Sequence, residues 1–387
     1  LTGYCNSTSE PGFQAYQEIA TVSSGQVYLI GKRQVTEFMR VIEAAVEARK
    51  VQILQQDTWE TSAKTYSFPV DSHLSQLTVQ VTNYKTQDPI KVNIRNPEGK
   101  LVTKEDGLRQ LMKTVPTVFV ASIDQPMAGS WTLEVSTEPS EHPQPPPTVD
   151  GREEDQLQWH SVRVSGVSEV DFVPGFATTP LPYNIGSSRQ PIEGVQNYVM
   201  ANITGRLLTG TVDSIVLRAP NGTSLVRLPV ERTANTHVYV SQHPMDPVSG
   251  HYYLQVTGRD GQGYNFQRYS KVALIARKAR PVVVSCPAKI EVARGATAAV
   301  TCLVDSEIPF KVNWYQSGHP LTGFPGEHQI YSVPTNVTYT LTDVNEESQG
   351  IYAVEMVRAD AGPSEQPTEG HGRDEVAVVI LRKFVFL

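Results

Sequence analysis

A chain that repeats itself in register has few ways to fold. Pro126-Met-Ala-Gly129-Ser-Trp131-Thr-Leu133-Glu-Val135 returns 121 positions later as Pro247-Val-Ser-Gly250-His-Tyr252-Tyr-Leu254-Gln-Val256. Each copy runs from a Pro and a turn Gly into an aromatic, a Leu and a Val at period two. Ile94-Arg95-Asn-Pro97-Glu-Gly99 likewise matches Leu217-Arg218-Ala-Pro220-Asn-Gly222 at an offset of 123. Two elements repeated in the same order predict a duplicated unit of about 120 residues. Period-two alternation punctuated by Gly and Pro makes that unit a β-sandwich. Trp131 and Tyr252 share a strand face with Leu133 and Leu254, so they are expected as core anchors rather than as a sugar-stacking pair.

The totals narrow the function classes. With 40 acidic and 33 basic residues among 387, the net charge is −7, and no basic face for phosphate is expected. Nucleic acid is excluded as an expected partner. The apolar runs, such as Val378 to Leu381, fall far short of the roughly 20 residues that cross a bilayer, so no membrane span is expected. The chain has no initiator Met and opens with Leu1-Thr2-Gly3, which reads as the end of a strand, so it is expected to lack an N-terminal segment. Four Asn-x-Ser/Thr sequons, at Asn6, Asn202, Asn221 and Asn336, point to the secretory pathway and to glycosylation. Three cysteines are too few for a disulfide scaffold.

Chemistry is hard to find. No His-Glu-x-x-His, Gly-x-Ser-x-Gly or Gly-rich phosphate loop occurs. His237, His243 and Asp246 are near in sequence, but they fall at a strand end and a Pro-containing turn, where solvated loop residues are the expectation over a metal site. No catalytic, cofactor-binding or metal-ligating residue is assigned, and the chain is not expected to be an enzyme.

Residues 1–50 differ from the rest. Phe13, Tyr16, Ile19 and Ala20 have helical spacing behind Pro11, a strand is expected over Gln26 to Ile30, and Val35, Phe38, Met39, Ile42, Ala45 and Val46 form one apolar stripe on a helix from about Lys32 to Lys50. This order suits the tail of a parallel α/β sheet. Residues 51–168 and 169–278 are the two sandwich copies. The Pro-rich acidic stretch at 137–155 is expected as a surface loop, and the last strand of the second copy is expected over Lys271 to Ile275.

Residues 279–387 carry a third β pattern. Cys302, then Val312-Asn-Trp314-Tyr315, then Asp343-x-x-x-Glu-Ser-x-Gly350-x-Tyr352 give an immunoglobulin outline, with Trp314 in the core and Tyr352 at the corner before strand F. The usual second cysteine position is Val354, so Cys302 is held by packing alone unless Cys286 pairs with it. Cys286 and Cys302 flank the Arg294-Gly295 turn of an expected hairpin, which keeps a bridge between them geometrically open.

Together these residues resemble the N-terminal region of hemicentins. Leu1-Thr2-Gly3 with Cys5, Tyr16-Gln-Glu18-Ile19-Ala20 and Ser23-Ser-Gly-Gln-Val27 resemble the end of a von Willebrand factor A domain, and Val41 to Lys50 its last helix. Ile94 to Leu101, Gly129-Ser-Trp-Thr, His160 to Gly166 and Asp171-Phe172 with Gly175-Phe176 resemble the β region that follows, and the final segment resembles the first immunoglobulin domain. The resemblance implies a mainly β chain: tandem β-sandwiches ending in an immunoglobulin-like domain, preceded by the truncated α/β tail of a von Willebrand factor A domain. It also implies a secreted protein of the extracellular matrix and basement membrane, with a cell-adhesion role and matrix or cell-surface proteins as partners. No Asp-x-Ser-x-Ser metal-ion-dependent adhesion site is present to carry over. The leading expectation is a multidomain scaffold or spacer. The alternative is a ligand-binding β-sandwich module, for glycan or protein, in a soluble von Willebrand A family protein.

Overall fold

The computed structural model describes residues 11–46, 49–58, 63–83, 89–137, 160–178, 188–205, 210–235, 237–308, 310–321, 327–328, 335–358 and 372–381. Asn6, Cys5, Trp59, Trp159 and most of the 137–155 stretch lie outside them. The chain divides into two compact units: residues 1–174, 199–243 and 248–275 form the first, and residues 175–198, 244–247 and 276–387 the second.

The first unit opens with α1 (Pro11–Val22) and α2 (Val35–Ala45), the latter entered through a 3-10 turn at Lys32–Gln34. Residues 26 to 30, expected as a strand, are not assigned as one. Tyr28 and Ile30 instead pack with Phe38, Val41 and Ala44 against Leu111, Met112 and Val120. The alternation there reflects one apolar face packed into this cluster. Helix α2 likewise turns Phe38, Val41 and Ala44 inward, while Val35 (48% exposed), Met39 (55%), Ile42 (40%) and Val46 (75%) of the expected stripe face solvent. The Glu37 carboxylate anchors the helix by accepting the Lys113 amide at 2.6 Å, the Thr114 amide at 3.2 Å and the Thr114 hydroxyl. That hydroxyl and the two amides hold its pKa below the usual carboxylate value, against a smaller opposing effect of burial.

Fifteen strands follow: β1 (Lys50–Thr58), β2 (Lys64–Val70), β3 (Gln76–Asn83), β4 (Ile90–Arg95), β5 (Leu108–Met112), β6 (Val118–Asp124), β7 (Gly129–Thr137), β8 (His160–Val167), β9 (Asp171–Ala177), β10 (Tyr198–Thr204), β11 (Thr211–Arg218), β12 (Ser224–Arg232), β13 (Val238–Ser241), β14 (Tyr253–Arg259) and β15 (Asn265–Tyr269). One sheet runs β5-β6-β3-β8-β1-β15-β14-β11-β12-β13-β10-β9, and a second runs β2-β7-β4. The last strand of the second copy is thus β15 and not Lys271 to Ile275, where Leu274 makes an isolated bridge to Tyr252. Strands β2 and β12 contain Pro69 and Pro229, which argue against a strand in sequence.

The repeat reappears as identical pairing. Ile94 lies opposite Leu133 and Arg95 opposite Thr132, just as Leu217 lies opposite Leu254 and Arg218 opposite Tyr253. The two copies are joined through β1, which pairs with β8 of the first copy along its length and with β15 of the second at Gln52 and Tyr269. The first sandwich packs Ile53, Phe68, Val79, Trp131, Leu133 and Val162 between its sheets.

The second unit carries an immunoglobulin-like sandwich: β16 (Val283–Ser285), β17 (Lys289–Ala293), β18 (Ala298–Asp305), β19 (Phe310–Gln316), β20 (His319–Pro320), β21 (Glu327–His328), β22 (Thr335–Leu341), β23 (Gly350–Arg358) and β24 (Gly372–Leu381). One sheet is β16-β18-β22; the other is β17-β24-β23-β19-β20 with β21 on β19. Strands β17 and β18 belong to different sheets, so they do not form the expected hairpin. β17 turns instead to a parallel pairing with β24.

Candidate functional site

The repeated turn is built the same way twice. Gly99 and Gly222 take left-handed backbone (φ 79° and 85°), the conformation glycine tolerates best, and each donates its amide back to residue 96 or 219. The Arg95 guanidinium then donates to the Gly99 carbonyl at 3.3 Å and to Glu134 at 3.4 Å. Arg218 makes the matching pair, to Gly222 at 3.0 Å and to Gln255 at 2.8 Å. In the second copy the turn is also docked on β1, because the Pro220 carbonyl accepts the Asp57 amide at 2.9 Å.

Several polar groups around this joint are buried and paired. Arg268, 1% exposed, donates to Asp71 at 2.7 Å, to Ser168 at 3.1 Å and to the Val170 carbonyl at 2.8 Å. It thereby ties β15 of the second copy to the β2–β3 turn of the first and to the segment that links them. Arg163 pairs with Asp57 at 2.7 Å, and Asp57 also accepts the Ser161 hydroxyl at 2.8 Å. The Tyr66 hydroxyl lies 2.6 Å from His160 Nε2 and 2.9 Å from Thr58 Oγ1. Burial, helped by the nearby Lys64 charge and opposed by Asp57, lowers the His160 pKa to about 4.

One open groove, of about 530 Å3, lies where the copies meet, lined by β2, the start of β7, β11, β12, β14 and the β14–β15 turn. That turn is held by Asp260. Its carboxylate accepts the Ser72 amide and hydroxyl at 2.9 and 2.7 Å and the Gln262 and Tyr264 amides at 2.9 Å each. Burial opposes ionisation of Asp260, but those hydrogen bonds outweigh it and lower the pKa. No signal in the sequence marks this groove. Its lining comes from strands far apart in the chain, and Tyr264 and Asn265 belong to no repeated motif.

Of the aromatic positions singled out in sequence, Trp131 is 2% exposed and donates its indole N–H to the Met127 carbonyl at 2.8 Å. Tyr252 is fully buried, and its hydroxyl has no hydrogen-bond partner among the described residues. Trp314 and Tyr352 are 4% and 1% exposed, and the Tyr352 hydroxyl donates to the Ser348 carbonyl at 3.0 Å, the tyrosine-corner arrangement. Cys286 and Cys302 are bonded, with Cα atoms 4.3 Å apart. Their proximity comes from β16 lying beside β18, where Ser285 faces Leu303, and not from a hairpin around Gly295. Val354 faces Trp314 across the other sheet and is 1% exposed.

Three sequons are in described segments. Asn221 and Asn336 are exposed, on the repeated turn and on β22, while Asn202 is half-buried within β10 opposite Val238. The Asn221 carbonyl oxygen accepts the Thr223 amide at 2.9 Å, which fixes its side chain in the turn. Among the described residues, no group of three His, Cys, Asp or Glu side chains could hold a metal ion. Nor is any helix among them long and apolar enough to cross a membrane.

Fold and sites together define a tandem β-sandwich protein that continues into an immunoglobulin-like domain. Residues 50–142 match the family model described as hemicentin galactose-binding domain-like, and residues 281–367 match the immunoglobulin I-set domain. The chain is homologous to hemicentins along nearly its whole length. It is 32% identical to Hemicentin-1 of Mus musculus over 355 residues, 91% of this chain and 6% of that protein, and shows the same identity and coverage with Hemicentin-1 of Homo sapiens. To Hemicentin-2 of Mus musculus it is 28% identical over 365 residues, 94% of this chain and 7% of that protein. The chain therefore spans under a tenth of the length of these relatives.

Proposed function

We propose that this chain is part of a secreted extracellular-matrix or cell-adhesion protein, without enzymatic activity, in which it serves as a multidomain scaffold or spacer. In this reading residues 1–50 close a von Willebrand factor A-like domain, residues 51–168 and 169–278 are the two sandwich copies, and residues 279–387 are the immunoglobulin-like domain. Its partners are matrix or cell-surface proteins. The observation that carries the proposal is the shared sheet: β1 hydrogen-bonds to both copies, and the Arg268–Asp71 pair is buried across the same joint. Two sandwiches on a flexible linker would reorient freely; two sandwiches sharing a sheet hold a fixed geometry. The hemicentin homology and the exposed sequons at Asn221 and Asn336 support the extracellular setting. The solvent-facing apolar stripe of α2 supports the A-domain reading, because Val35, Met39, Ile42 and Val46 suit burial against a further layer of structure.

Two measurements test this. The endogenous protein, tagged and fractionated, is expected in the extracellular matrix with a mass that drops on N-glycan removal; recovery from the cytosol without glycan overturns the proposal. Urea unfolding of residues 1–387 is expected to lose both copies in one transition. Arg268→Ala is expected to lower its midpoint by the equivalent of about 3 to 5 kcal/mol, the loss for an uncompensated buried charge.

A further inference from the structure

We propose that a glycan on Asn336 packs its first sugar ring on an apolar strip of the β16-β18-β22 sheet, over Leu303 and Val283. This rests on the reading of Asn336 as a glycosylated position and adds what the sugar covers. Leu303 is 45% exposed between Cys302 and Val304, which are 0% and 1% exposed, so it stands on the outer face of β18. Register decides what stands beside it. Leu303 lies opposite Asn336 of β22 on one side and opposite Ser285 of β16 on the other. Directly opposed residues share a face and bring their Cβ atoms to about 5 Å. Val283, 59% exposed, is two positions before Ser285 and therefore on the same face, diagonal to Leu303. On β22, Val337 is 1% exposed and turns inward, so Asn336 and Thr338 turn outward, and the Thr338 hydroxyl lies 3.0 Å from that of Thr301.

A sugar joined to the Asn336 side-chain nitrogen starts beside Leu303, so the packing is intramolecular and needs no separate encounter. A pyranose ring has suitable chemistry, because its C–H face covers aliphatic carbon while its hydroxyls stay in water. The position also guards an edge. Among the described residues β22 pairs with β18 alone, so its other side has backbone groups open to a further strand. An apolar strip beside an open edge is where a second copy of the chain would dock. A sugar at Asn336 lies across that approach.

The test uses the whole chain, secreted from a glycosylating host, with glycan occupancy read by glycopeptide mass spectrometry. Hydroxyl-radical footprinting then compares the wild type with Asn336→Gln. Losing the sugar is expected to raise oxidation of Leu303 about threefold, as a contacting ring excludes solvent. Ile351, 52% exposed on the other sheet, is the internal control and is expected not to change. In thermal unfolding the glycan is expected to raise the midpoint of this domain by about 3 °C. That increment is expected to vanish when Asn336→Gln is compared in a Leu303→Ser background, because the sugar then has no apolar carbon to cover. A bare Asn336 beside an occupied Asn221 overturns this proposal and leaves the extracellular reading standing; both bare in protein recovered from the cytosol overturns both. An occupied Asn336 with unchanged Leu303 oxidation, or with the same midpoint increment in Leu303→Ser, also overturns it. So does a glycosylated wild type that sediments as a dimer which Leu303→Ser disperses, since a second copy then covers the strip.

Discussion

The two copies of the repeated strand pair share a turn and a register but not their surroundings. In the first, β7 is the middle of a three-stranded sheet, and the Arg95–Glu134 pair lies at the surface with side chains 41% and 39% exposed. In the second, β14 lies inside the twelve-stranded sheet, and Gln255, in place of Glu134, is 4% exposed. The exchange of Glu for Gln follows the burial: a carboxylate with one half-exposed arginine is tolerable in water and costly in a core. The anchoring aromatics differ in the same sense. Trp131 satisfies its single donor, while Tyr252 carries a buried hydroxyl with no partner among the described residues. Duplication preserved the backbone pattern, and the later environment of each copy decided its polar atoms.

That comparison can be broken most severely at Trp131. Trp131→Ala is expected to cost about 3 to 5 kcal/mol by urea unfolding, as large-to-small changes in a packed core do. A well-folded variant of unchanged stability would remove Trp131 from the core of the first copy. The next effect is also confined to the first copy, since His160 is the sole histidine buried among the described residues. Its pKa is about 4 in the fold and about 6.5 unfolded, so the unfolded chain binds the proton first. Its contribution is therefore fully present above about pH 6.5 and declines as the pH falls towards 4. The integrated change approaches 3 kcal/mol. His160→Gln should flatten stability against pH in that window, and an unaltered slope would show that other groups are responsible.

Smaller effects sharpen the contrast between the clamps. Arg218→Ala is expected to cost about 1.5 kcal/mol, because it strands a buried Gln255 oxygen. Arg95→Ala should cost about 0.5 kcal/mol, the scale of an exposed pair. Equal losses would mean that the two environments are energetically alike. Opposite in sign, Tyr252→Phe is expected to gain up to about 0.5 kcal/mol by deleting a buried hydroxyl with no partner among the described residues. A loss instead would reveal a partner for that hydroxyl.

Much of the architecture was legible in the chain itself, for identifiable reasons. The Trp131 and Tyr252 strings show because a half-buried strand must alternate, and the Gly99 and Gly222 turns show because few residues take left-handed backbone. The Trp314 and Tyr352 spacing is legible on the same grounds. What escaped was non-local. Nothing in the string Val51 to Thr58 says that β1 will bridge two copies, since pairing partners lie more than 100 residues away. Strand β2 hides behind Pro69. The stretch around Tyr28 shows the alternation of a strand because Tyr28 and Ile30 turn one apolar face to Phe38, Val41 and Leu111. Helix α2 has apolar residues on two faces, and sequence periodicity does not tell which one meets Leu111 and Val120. The groove is the extreme case: Ser67, Ser130, Arg227 and Tyr264 become neighbours only after the sheets assemble.

The disulfide has a mechanical side. Cys286 and Cys302 are 16 positions apart and fasten β16 to β18 within one sheet. A bridge between the sheets would place most of the immunoglobulin-like fold inside a covalent loop that a pulling force could not extend. Here only the short loop is shielded, about 55 Å of contour at the length of an extended residue. Stretched from its ends, this domain can pay out nearly all of its chain without breaking a covalent bond, so it would yield as a long tether and not as a stiff link.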